Sequence, residues 1–190
     1  MRYSEDHKAQ THQRIIEEAA RRFRRDGVGA TGLQPLMKAL GLTHGGFYAH
    51  FKSKDELVET ALRSSAEQLK ASTAEIFAGA DPLPSFIARY LSTAHRANPA
   101  DGCPLPTVSA ELGQRGAASP VTDEMIQDRL GMIESCLDGE DAAEQSVLML
   151  SAMVGALLLA RSVSDPALSD RLLETTRRLL IEQAENQSRS

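Results

Sequence analysis

The sequence contains no tryptophan, and aromatic side chains make up only 4% of its 190 residues. That scarcity argues against broad stacking platforms for single-stranded nucleic acid. There are two cysteines, Cys103 and Cys136, too few and too far apart for a disulfide framework. The longest uncharged stretch, Gln145 to Ala160, is shorter than the roughly 18 to 20 apolar residues that span a bilayer. Arg2, Glu5, Asp6 and Lys8 crowd the start, where an export signal would need an apolar core. The expectation is a cytoplasmic protein with no membrane partner. His7, His12, His44, His50 and His95 make no i, i+4 pair with one another, with cysteine or with a carboxylate, so neither a metal site nor a cofactor is expected.

What is present is ordinary for a globular chain, 42% hydrophobic and 25% charged, and the length suits one or two small domains. The net charge of -5 hides an asymmetry: residues 1–54 hold ten Lys/Arg against five Asp/Glu, and the rest hold eleven against 21. A basic end on an acidic body is the pattern of a DNA-reading head on a regulatory body, because phosphate neutralisation needs local cations. Chance clustering on a solvated helix gives the same count.

No stretch alternates strictly with strand-forming residues, so the fold class read from the sequence is all-α. Helices are expected from about Lys8 to Asp26, from Thr31 to Leu40 with a Thr31/Gln34 capping box, and from Thr43 to His50. Ser53 and Glu56 form a second capping box, opening a long helix toward Phe77. Further helices are expected over Ser85 to Ala97, Pro104 to Leu112, Thr122 to Leu137 and Ala142 to Val163. A last one, with Asp165 as cap and Pro166 at its first position, runs to about Glu185, and Asn186 to Ser190 should fray.

The informative segment is Thr31 to Lys54. Two short helices meet at a turn containing Gly41, and Leu36, Leu40, Leu42, Phe47 and Phe51 recur where they must bury against each other. This is the spacing of a helix-turn-helix, and also of an ordinary helical hairpin. The polar residues favour the first: Thr43, His44, Tyr48, His50, Lys52 and Lys54 are donors or cations suited to phosphate oxygens.

These residues, with Ile15 and Ile16 through Phe23, Gly27, Thr31, Gly41-Leu42-Thr43, Phe47-Tyr48, Phe51 and Lys54, resemble the TetR/AcrR family of bacterial transcriptional repressors over about Lys8 to Leu62. The resemblance implies a three-helix DNA-binding head in residues 1–54, an effector-binding and dimerisation region in 55–190, and a homodimer reading a palindromic double-stranded operator. It places Thr31, Tyr48, His50 and Lys54 on phosphates. Base reading would fall to Thr43, His44, Gly45 and Gly46 with Gln34 and Lys38. Two glycines carry no base-reading side chain, so close backbone approach and DNA shape are expected to contribute.

In the body, Val147 to Ala160 is apolar nearly all round. Ser151 with Gly155, and Ala152 with Ala156 and Ala160, recur every four residues and would admit a second helix closely; Leu168, Leu172 and Leu179 line the last helix. A purely intramolecular core explains this equally; by the resemblance these are dimer-forming helices. The resemblance further implies a pocket for an unknown small-molecule effector, with candidate lining residues Phe86, Tyr90, His95, Cys103, Leu105, Val108, Met125, Met132, Met149 and Met153. The absence of a charged cluster suggests an apolar or weakly polar effector.

Two alternatives use Cys103, which precedes a helix start: a repressor sensing oxidants or electrophiles through its thiol, and a small helical enzyme with a cysteine nucleophile. A third is an adaptor that has lost DNA binding. Gly27 to Gly32 matches a GxGxxG fingerprint in letters, but Arg21 to Asp26 stand where the motif needs a buried strand. No catalytic motif appears, and the chain is not expected to be an enzyme.

Overall fold

The structure is a computed structural model that describes residues 2–187, and every regular element among them is helical. The first helix, α1, spans Arg2–Asp26, and begins earlier than its apolar periodicity because nothing in the polar stretch before Lys8 breaks a helix. Leu33–Ala39 forms α2. Gly32, not Thr31, is its N-cap, and the Thr31 hydroxyl instead donates to the Gly27 carbonyl at 2.7 Å. The Thr31/Gln34 capping box is therefore corrected: the threonine closes the end of α1.

The third expected helix is a 3-10 segment, His44–Ala49, whose Thr43 cap accepts from the Gly46 N–H. The Ser53 box forms, slightly shifted: Ser53 accepts from Glu56 N–H, while the Glu56 carboxylate reaches back to Lys52 N–H at 2.6 Å. It opens α3, Lys54–Phe77. The expected Ser85 to Ala97 helix is two helices, α4 (Pro82–Tyr90) and α5 (Thr93–Ala97). Pro82 and Pro84 fit in a first turn, where the N–H groups lack partners anyway, and Ser92 interrupts by capping the His95 N–H.

Next come α6 (Leu105–Arg115), α7 (Pro120–Glu134), α8 (Ala142–Ser162) and α9 (Pro166–Gln187). Gly113 does not stop α6; the stop is Gly116, left-handed at φ 61°. Asp165 caps α9 by accepting from Ala167 N–H, as expected. That helix continues to Gln187, beyond the expected fraying point; residues 188–190 lie outside the described residues.

The chain forms two compact units. The first holds the chain through Gln68 together with Ala100–Val121; the second holds Leu69–Pro99 and the chain from Thr122 onward. In the first, Ile15, Ala19, Phe23, Leu36, Met37, Phe47, Phe51 and Leu57 build a closed core, with Leu40 and Leu42 packed at its edge. Four residues tie 100–121 into this unit. Arg21 pairs with Asp101 at 2.7 Å. Arg24, buried in α1, donates to the Ala100 carbonyl and to Ser65 Oγ. Thr107 donates to the Arg24 carbonyl at 2.8 Å. The Glu111 carboxylate accepts from Val28 N–H at 2.6 Å and Gly29 N–H at 2.7 Å, with Arg115 paired to it at 2.6 Å.

In the second unit α9 packs against α8 and α4, burying Leu83, Phe86, Ile87, Met149, Met153, Leu157, Leu173 and Leu180. The uncharged stretch in α8 stops short of a membrane span, yet the whole 21-residue helix is long and apolar enough to cross one. Here one of its faces is core. His95 shares its Nδ1 with the Tyr90 carbonyl at 2.7 Å and meets the Tyr90 ring edge-on, and burial holds its pKa below the usual imidazole value.

Two consequences are measurable. Glu111→Ala leaves two neighbouring backbone N–H groups without their carboxylate, and the expected loss is about 1 to 3 kcal/mol, read as a lower urea midpoint; a midpoint equal to wild type would remove the clamp from the stabilising interactions. For His95, the unfolded state binds protons more readily than the folded state, so its contribution is intact above the unfolded pKa and is lost as pH falls through the folded one. The melting temperature should therefore drop between pH 7 and pH 5, and His95→Gln should shrink that drop; His50, shifted the same way, leaves a residual slope.

Candidate nucleic-acid interface

The helix-turn-helix is assembled from α2 and the 3-10 segment. Gly41, at φ 73°, makes the turn that a side chain would strain. Leu42 N–H then donates to the Met37 carbonyl at 2.9 Å, closing the loop. Phe47 and Phe51 stack at 5.6 Å inside the core, so their ring positions fix the residues between and before them. Outward of this base lie Gln34, Lys38, Thr43, His44 and Gly45, all exposed. Tyr48 is 60% exposed, edge-on to both Phe47 and His44, which holds its ring without covering it. A large aromatic side chain is thus left open among hydroxyls, an imidazole and a lysine, groups whose chemistry suits a phosphate oxygen.

Gly45 has an ordinary backbone conformation, and a Cβ built there would meet nothing within 4 Å. The fold has no need of a glycine at this point. Gly46 is half-buried, and a Cβ built there would stand 3.4 Å from the Thr43 hydroxyl.

Three expected contacts are placed differently from the rest. Thr31 is buried and its hydroxyl is engaged with Gly27. The Lys54 amine donates to the Val28 carbonyl at 2.6 Å, so it holds the same turn from the other side. His50 is half-buried, with an Nδ1 that has no hydrogen-bond partner among the described residues. Its pKa lies below the usual imidazole value, first through burial and then through His12 and Lys8. Sequence reasoning missed Glu111 altogether: no local pattern links a carboxylate in α6 to a turn more than eighty residues earlier.

The ten effector-pocket candidates are divided between the units. Cys103, Leu105 and Val108 are buried in the first, where the Arg24, Thr107 and Glu111 bonds hold their segment. The other seven belong to the second, where Phe77, Phe86, Tyr90 and His95 form a run of ring contacts at 4.8 to 5.9 Å. The sequence reading also passed over Arg129, which is buried near the Phe86 ring and donates to Thr73 Oγ1 and Met132 Sδ. A signal existed: Arg129 sits between Met125 and Met132 at helical spacing, a charge on an apolar stripe.

Neither cysteine has the surroundings of a reactive thiol, Cys103 being buried and Cys136 half-buried. Cys103 is 2% exposed, and burial raises the Cys136 thiol above its ordinary pKa, the unreactive direction. Of the candidate dimer residues, Ser151, Ala152, Gly155 and Leu179 are exposed or half-exposed, with Leu168 and Leu172 beside them half-buried. Ala156 and Ala160 face inward, so for these two the intramolecular reading holds.

Comparison with known proteins agrees with this geometry. The family described as "Bacterial regulatory proteins, tetR family" matches residues 15–61. An uncharacterized HTH-type transcriptional regulator of Mycobacterium tuberculosis is 29% identical over 93% of this chain and 97% of its own. The HTH-type transcriptional regulator AcrR of Shigella flexneri is 44% identical over 48 residues, 25% of this chain and 22% of that one. The crystal structure of a TetR transcriptional regulator from Chloroflexus aurantiacus superposes with a TM-score of 0.75 at 25% identity, covering 98% of both chains. Residues 15–61 thus carry the helix-turn-helix of the tetR family of bacterial regulatory proteins, and along nearly its whole length the chain is similar to DNA-binding transcriptional regulators of that kind.

Proposed function

We propose that this regulator is a cytoplasmic homodimeric repressor, acting without catalysis or cofactor, that leaves its double-stranded operator when a small molecule binds the body. Residues 1–54 read DNA, and residues 55–190 bind the effector and dimerise. The observation that carries this is the row Gln34, Lys38, Thr43, His44 and Tyr48, held at the surface by buried Phe47 and Phe51. Thr31 and Lys54 serve that row by fixing the turn before α2, Lys54 with donors to spare for a phosphate.

Release has a route along the chain. The segment 100–121 belongs to the first unit, but both of its ends continue into the second. An effector that displaces those ends moves Glu111, and with it the turn that positions α2. The aromatic run Phe77, Phe86, Tyr90 and His95 supports an effector with an apolar body.

Dimerisation is supported by α8 and α9. Val147, Leu148, Leu158, Leu159 and Leu179 are 40% to 54% exposed, an apolar face that a lone protomer leaves in water. Gly155 lies within it, and a Cβ there would meet nothing within 4 Å.

A gel shift with duplex DNA flanking the protein's own gene tests the whole reading; a protein that retards neither this DNA nor any duplex selected from a random pool overturns it. Tyr48→Phe removes one phosphate hydrogen bond and should weaken binding about fivefold, with the dimer intact. Gly45→Gln should leave the melting temperature within a degree or two but change the bases selected; an unchanged selected sequence would show that DNA does not approach this backbone. Gly155→Leu has room within the protomer, so its protomer should fold normally while sedimentation shows a dimer weakened by about 1 to 3 kcal/mol. An unaltered dimer at micromolar concentration would remove this face from the interface.

A further inference from the structure

Beside the end of the 3-10 segment the first unit carries an open groove of about 540 Å³. Its polar lining comes from α1 (Glu5, Lys8, His12 and Gln13) and from His50. Ala9 and Ala49, the small residues between them, keep it wide. The groove is not a by-product of loose packing, because its histidines are positioned by the core. His12 stacks on buried Phe51 at 4.5 Å and 16°, and its ring centre is 5.9 Å from that of His50. Gln13 spends one amide hydrogen on Glu17 and retains another.

We propose that Lys8, His12 and Gln13 of α1, together with His50, bind a backbone phosphate of the operator outside the bases read by the 3-10 segment. This rests on the reading of Tyr48 and His50 as DNA-facing. The donor set is what a phosphodiester needs: one full cation, two imidazoles and an amide, opposed by the single carboxylate of Glu5. Continuity selects DNA among anions. Ala49 lines the groove and is the residue next to Tyr48, so a strand leaving the recognition surface passes directly onto it. The His50 Nδ1 is buried and without a hydrogen-bond partner among the described residues, and it gains one from a phosphate oxygen when the ring turns toward the groove with its proton on that nitrogen.

The contact adds affinity without sequence information, which suits a head with two glycines in its reading segment. It also predicts a footprint wider than the base-reading element alone would give. None of these residues of α1 falls within the family match, which begins at residue 15.

The experiment uses the full-length dimer and a duplex that it selects from a random pool, prepared with natural phosphates or with neutral methylphosphonates in the flank. Lys8→Gln and His12→Gln should each weaken binding to the natural duplex by roughly three- to tenfold, and Lys8→Gln should lower the salt slope by about one unit. One methylphosphonate position should weaken the wild type by a similar factor and leave the Lys8→Gln variant almost unaffected. Lys8 is exposed, so that variant folds even if His12→Gln, which loses the Phe51 stack, does not. Equal binding and equal salt slope for wild type and Lys8→Gln would overturn the proposal while leaving DNA binding intact. Weaker binding of Lys8→Gln with no methylphosphonate position that distinguishes it from wild type would also overturn it, since that is long-range attraction and not contact. A wild-type protein that selects no duplex would overturn both this proposal and the reading beneath it.

Discussion

The reading head depends on a five-residue turn, Gly27 to Thr31, and on the groups that hold it from three directions. Glu111 takes the N–H groups of Val28 and Gly29, Lys54 donates to the Val28 carbonyl, and the Thr31 hydroxyl donates to the Gly27 carbonyl. Gly27 itself has φ 86°, which lets α1 end abruptly and send the chain back toward α2. The bonds to Glu111 and Lys54 involve charged partners, the stronger class of hydrogen bond. They fix where α2 begins, and α2 fixes where the 3-10 segment sits. On the proposed reading, in which DNA approaches the backbone at Gly45, that precision matters, because such an approach tolerates little error in position.

Much of this was legible in the sequence wherever the cause was local. The all-α class, the Thr43 cap, the Ser53 and Glu56 pair and the Asp165-Pro166 start all follow from interactions within four residues. The core of the head was legible for a related reason: Leu36, Phe47 and Phe51 recur at spacings that one packing arrangement satisfies. Thr31 shows the limit. Its hydroxyl could serve the helix after it or the helix before it, and both choices are four residues or fewer away. Only the tertiary placement of Gly27, held by α6, decides between them.

The split of α4 from α5 failed to show for a different reason. Ser85 to Ala97 has an unbroken helical composition, and Ser92 reads as a tolerable interior residue. Its side chain caps the His95 N–H instead, and the Tyr90 carbonyl released by the break is taken up by the His95 ring. Serine competes with the backbone for its hydrogen bonds, and a neighbouring histidine able to donate to the freed carbonyl tips that competition. The pair Ser92 and His95 therefore makes the break together, which neither residue announces alone.

For α8 the sequence showed that more than one face must be covered but not which face meets which partner. With apolar residues nearly all round, the helical period selects no direction, and rotation about the axis is set by what packs against it. In the fold Met149, Met153, Ala156, Leu157 and Ala160 turn inward and Leu148, Ser151, Gly155 and Leu159 turn outward. The small residues thus divide into two sets with different work. Ala156 and Ala160 are buried in their own protomer's core; a Cβ built on Gly155 would meet nothing within 4 Å, so the packing of its protomer does not require a glycine there. Gly45 in the reading head stands in the same relation to its own fold. Gly113 and Gly131 are as open as these two, so free space alone marks no surface; Gly45 and Gly155 stand apart because one adjoins the exposed row Thr43, His44 and Tyr48 and the other the exposed apolar face of α8, where DNA and a second chain are proposed.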